Sequence, residues 1–262
     1  MLAAGCGGSS DSPPKPLERR FDEIHVARFT LEQKAEIVKA RNDWEVSRME
    51  NANAEAQIGE INTQVGIVRN EHKAARLAVD NAVTNKKAAE TSADTNRINA
   101  ATKELHTAEL LMRAAEARVK YFETYRDYLK RLGRYTAENM YWREAQFELA
   151  KAKLAQQNNI APKGVQYDWY PKQEAERSQR AQAAREKEQS ERQRAQSARE
   201  TWLKLQQSAD QASGRPTSLS DPMAPPPAPG QPATPAAPPP PTTTTLPTMP
   251  STTTPPAGGS TP

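Results

Sequence analysis

The sequence predicts an all-α protein: a long antiparallel coiled-coil hairpin plus a polar C-terminal helix, with disordered termini. Three observations predict it. Ile98, Leu105, Met112 and Val119 recur every seven residues, as do Ala101, Ala108, Ala115, Phe122 and Leu129, and this seam runs on to Leu154. Apolar residues spaced 3.5 apart on average keep one narrow stripe facing a partner helix, the pattern of a coiled coil. A second seam passes through Ile37, Trp44, Ile58, Ile61, Val65, Val68, Val79, Ala82 and Ala89. Finally, residues 17–157 hold no proline and only three glycines, Gly59, Gly66 and Gly133, so nearly continuous helix is expected there.

Composition agrees with an extended architecture. Of 262 residues, 36% are hydrophobic, and only four are Phe, a poor supply for one compact core of that length. The 36 basic and 32 acidic residues alternate along the chain, which describes a solvated helix surface and argues against nucleic-acid binding.

At the start, residues 2–6 read Leu-Ala-Ala-Gly-Cys, and Cys6 is the only cysteine in the chain. An internal disulfide is therefore impossible. This stretch resembles the lipobox of bacterial lipoproteins, although the signal segment that precedes the cysteine in that family does not precede it here and is expected upstream of Met1. The resemblance implies lipidation at Cys6 and, because Gly7 rather than Asp follows the cysteine, an outer-membrane location facing the periplasm. Residues 7–16, rich in Gly, Ser and Pro, complete a flexible tether over 1–16. No later stretch reaches the roughly 20 apolar residues of a membrane span, so the membrane partner is reached through the lipid.

Residues 17–157 are expected to form the hairpin. The polar cluster Ser92, Ala93, Asp94, Thr95 marks a bend near 91–96, with Asp94 able to cap the second arm. Folding there sets Ala82 against Leu105, Ala75 against Met112, Ala54 against Gly133, Ser47 against Met140 and Ala40 against Phe147, small facing large, as close packing requires. Each arm of about 60 residues is roughly 90 Å long. Arg126, Arg143 and Lys86 fall on the seam and are expected to carry their charges past its edge.

The second arm also carries a stripe off the main seam: Tyr121, Tyr125, Tyr128, Leu132, Tyr135, Trp142 and Leu149. Left in water it would be a large apolar patch, so it is the candidate interaction surface, covered by a later segment of the chain, a second copy or another protein. Residues 158–171 read as an aromatic extended linker. Residues 172–212 read as a polar helix able to dock only through a short strip containing Ala195, Trp202, Leu205 and Ala209. Residues 213–262 read as a disordered tail, since the last 48 residues contain 17 prolines.

Catalytic chemistry has no visible carrier. His25, His72 and His106 are too far apart to share a metal, no phosphate loop, nucleophile elbow or CxxC motif occurs, and a thin hairpin is not expected to form a pocket. No cofactor, metal, nucleic acid or small-molecule substrate is expected. The expected role is non-enzymatic: a lipid-anchored cell-envelope protein serving as structural spacer or interaction scaffold, with a protein partner or self-association through the coiled coil. The alternatives are a cytoplasmic coiled-coil scaffold without lipid, or a hairpin similar to those of periplasmic adaptors and chaperones.

Overall fold

The computed structural model describes residues 13–217 and 219–224. The chain divides into two compact units, Met1–Thr217 and Ser218–Pro262. In the second, the described residues make a turn closed by Ala224 N–H donating to Asp221 O at 3.0 Å. Cys6 and residues 225–262 lie outside the described residues, so the expected lipid site and most of the expected tail do too.

The first unit contains three long helices: α1 (Ala35–Thr91), α2 (Thr95–Gln157) and α3 (Trp169–Ser213). No strand occurs among the described residues. α1 and α2 form the antiparallel hairpin. The chain reverses over Ser92, Ala93 and Asp94, where Ala93 adopts φ 50° and the Asp94 carboxylate accepts from Asn96 N–H and Arg97 N–H at 2.9 and 3.3 Å. The seam buries Ala54, Ile61, Val65, Val68, Ala82 and Ala89 of α1 against Ala101, Ala108, Phe122, Leu129 and Phe147 of α2. Thr136 Oγ1 donates to Asn51 Oδ1 at 3.0 Å across the seam, and Trp44 stacks on Phe147 at 5.7 Å. At Gly133 an added Cβ would stand 2.9 Å from Ile58 Cδ1, so the large-against-small packing is tight there.

Three expectations need correction. The hairpin does not begin at Leu17, because residues 17–34 are a non-helical strap with one 3-10 turn at Glu23–His25. The absence of proline did not make that stretch helical, because its apolar residues Leu17, Phe21, Val26 and Phe29 are irregularly spaced and pack downward instead. Thr30 and Gln33 then bond reciprocally, Thr30 N–H to Gln33 Oε1 at 3.0 Å and Gln33 N–H to Thr30 Oγ1 at 3.4 Å, in capping-box fashion across the turn that leads into α1. Nor is the segment 158–171 extended. It is a series of turns: Asn159 at φ 54° ends α2, with Ile160 N–H donating to Ala155 O at 3.0 Å, and Trp169 already opens α3. Pro171 fits inside the first turn of α3, where its missing N–H costs nothing.

α3 runs antiparallel along α2 on a face other than the α1 seam, making α2 the shared central helix. It docks over its whole length rather than by a terminal strip. Its buried residues, Tyr170, Arg177 and Ala184, then Ala181, Glu188, Ala195, Trp202 and Ala209, fall into two heptad rows. Charged members of those rows concealed the first half of the stripe. Gly214 at φ 68° ends the helix in the left-handed conformation that favours glycine. At the base, the strap, both arms and the start of α3 converge on one core of Phe21, Val26, Ile37, Phe147, Ala152, Ala155 and Tyr170.

Candidate interaction surfaces

The aromatic stripe of α2 faces α3. Tyr121 is fully buried and stacks on Trp202 at 5.3 Å with planes 10° apart, and Tyr125 and Tyr128 continue the row with centroids 6.1 and 5.7 Å apart in succession. Burial raises the Tyr128 phenol above its ordinary pKa, Glu188 of α3 raises it further, and Arg192 opposes both. Trp142 Nε1–H donates to Glu174 Oε1 at 2.7 Å, and Tyr135 and Trp142 line a shallow cleft whose other wall is α3. Leu149 packs against the basal core, and Leu132 is half-buried. The chain's own third helix thus meets most of this surface.

Arg118 braces all three helices. Buried on α2, it is ion-paired with Glu71 of α1 and lies 5.8 Å from the Trp202 ring of α3. The seam charges behave less dramatically. Lys86 pairs with Glu90 at 3.8 Å, Arg143 lies over Trp142 at 4.5 Å, and Arg126 keeps a quarter of its side chain in solvent.

The strap is fastened by polar groups as well as by Phe21. Glu148 and Lys151 of α2, both buried, pair at 2.8 Å; Glu148 accepts from Phe21 N–H at 2.6 Å, and Lys151 donates to Phe21 O at 2.9 Å. Burial holds the Glu148 carboxyl above its ordinary pKa, against the lowering influence of Lys151 and the Phe21 N–H. Further along, Arg19 N–H donates to Gln173 Oε1 and Gln173 Nε2 donates back to Arg19 O, at 3.0 and 2.9 Å.

Between strap, α2 and α3 lies a groove of about 890 Å³, a feature that a thin hairpin was not expected to possess. Eight cationic side chains and three carboxylates line it. Glu138, 2% exposed, accepts from both Arg134 at 2.7 Å and Arg180 at 3.2 Å through one oxygen. Arg177, 6% exposed, donates to Pro16 O at 3.3 Å through Nη2, and its buried Nη1 has no hydrogen-bond acceptor. Sequence reasoning missed this groove because its cations come from three distant segments, each interleaved with acids.

Among the described residues no group of His, Cys, Asp and Glu could hold a metal ion, and no helix is long and apolar enough to cross a membrane. No family model, curated protein or solved structure matches this chain.

Proposed function

We propose that this chain is a non-enzymatic, lipid-anchored protein of the bacterial cell envelope, held through Cys6 at the outer membrane, facing the periplasm and acting as a spacer and interaction scaffold. One observation carries the reading: the N-terminal strap is clamped at the base of the hairpin, where α2 ends and α3 begins, while the bend at residues 92–94 lies at the other end of α1. At 57 residues, α1 spans about 85 Å. An anchor six residues from the start would therefore hold the base and present the bend far from the membrane. The two buried bonds to Phe21 would pass load from such an anchor into α2.

The test is a precursor carrying an added lipoprotein signal ahead of the chain. Wild type should incorporate labelled fatty acid and fractionate with membranes, and Cys6→Ser should appear in the soluble fraction. Absence of label in the wild type overturns the anchor and favours a scaffold without lipid.

A further inference from the structure

We propose that the groove between the strap, α2 and α3 is a binding site for a small phosphate-bearing anion, of the chemistry found in a phospholipid headgroup or a soluble phosphate compound. The whole chain carries a net charge of only +4, with basic and acidic residues mixed throughout. Within this one concavity cations outnumber carboxylates eight to three, so folding concentrates more positive charge there than the chain carries overall. Low-dielectric walls focus such a charge.

Three carboxylates, Glu18, Glu138 and Glu176, stand among these cations. Glu138 serves two guanidiniums through Oε1 while its buried Oε2 meets no donor, and Glu176 meets Arg180 only at 3.9 Å. Arg177 adds an independent sign of a missing acceptor: it lines the groove, is 94% buried, and keeps Nη1 without a partner. A buried guanidinium donor left unbonded is costly, and a phosphate oxygen is the acceptor whose geometry suits guanidinium forks. Lys15, Lys172 and Lys187 stand exposed at the wall, where they can meet further phosphate oxygens.

Volume limits the occupant. About 890 Å³ suits a headgroup or a small metabolite and is far too little for a nucleic-acid duplex. Pro13 and Lys15, in the groove wall, directly follow the segment that bears Cys6, so an anchored molecule would hold the groove near a membrane surface. The site itself does not depend on the anchor.

The experiment uses the full chain with Cys6→Ser, so that no lipid can produce membrane binding. Inorganic pyrophosphate is titrated calorimetrically, and flotation is measured with vesicles of phosphatidylglycerol in phosphatidylcholine and of phosphatidylcholine alone. The groove variant is Lys15→Gln, Lys172→Gln, Lys187→Gln. The control, Lys73→Gln, Lys87→Gln, Lys103→Gln, removes the same charge from exposed positions elsewhere. Circular dichroism verifies that both remain helical. The groove variant should lose binding on the order of 100-fold, and the control less than about threefold, since charges beyond a screening length contribute little. Binding to anionic vesicles identifies a headgroup as the source; binding of pyrophosphate alone identifies a soluble phosphate compound. Failure to bind either probe, or equal loss in both variants, overturns the site.

Discussion

Lys151 and Glu148 lie side by side beneath the strap, each less than 5% exposed, and above the Glu148 pKa the carboxylate is the counterion of a buried lysine. Burial raises the Glu148 pKa, so the native state retains a proton that the unfolded chain has already released. Between the ordinary glutamate value and the raised one, unfolding therefore releases a proton. The contribution of Glu148 to stability falls as pH rises through that window and is constant above it. Glu148→Gln should abolish this slope and, above the window, cost about 3 kcal/mol by leaving Lys151 buried without a counterion, whereas adding Lys151→Met should restore most of the loss. Denaturant unfolding of the three proteins at a series of pH values measures both effects. If the single variant keeps the wild-type slope, or is as stable as the double, the pair does not fasten the strap.

At the scale of elements, the readable parts were those that repeat. Seven-residue spacing located both arms and their seam, and Asp94 beside a polar cluster located the bend, because helix periodicity and capping are local properties of the sequence. The strap was not legible: Phe21 and Val26 pack into a core with residues more than 100 positions away, and no local signal reports that. Thr30 and Gln33 did spell a capping-box pattern, a local signal that would have moved the expected helix start from Leu17 to within a few residues of Ala35. The docking face of α3 was half-legible, since Trp202 and Ala209 advertised it whereas Arg177 and Glu188 continue it as buried charged residues. Trp202 is the best lever on that face, being 1% exposed and stacked on Tyr121. Trp202→Ala should cost about 3 to 5 kcal/mol, and the loss should fall on the second half of α3, because Trp142–Glu174 and Arg180–Glu138 hold the first half independently. Limited trypsin digestion should then cut faster at Arg199 and Lys204 while the hairpin survives. Unchanged cleavage, or collapse of all helicity, would show that α3 does not dock as a separable layer.

Across the first unit, packing is unevenly distributed between the base and the bend. The base gathers strap, hairpin and α3 on Phe21, Phe147 and Tyr170, and α3 follows α2 upward until Trp202 meets Tyr121. That antiparallel register sets the end of α3 level with about residue 110 of α2, so the stretch from there to the bend has only two helices. Its buried residues are alanines, Ala82 and Ala89 against Ala101 and Ala108, which remove little apolar area from water. Few buried contacts and exposed helical backbone define a region that opens by local fluctuation, well below the cost of global unfolding. Hydrogen exchange should therefore be fastest, among helical amides of α1 and α2, at residues 73–91 and 95–108, and slowest around Phe122, Leu129 and Phe147. Cysteines at Ala82 and Leu105 should cross-link within one chain and slow that exchange, while the pair Ala82 and Ala150, at opposite ends of the hairpin, should not form. Cross-links found only between chains, or uniform exchange along both arms, would mean that the tip is not a two-helix extension standing beyond the three-helix body.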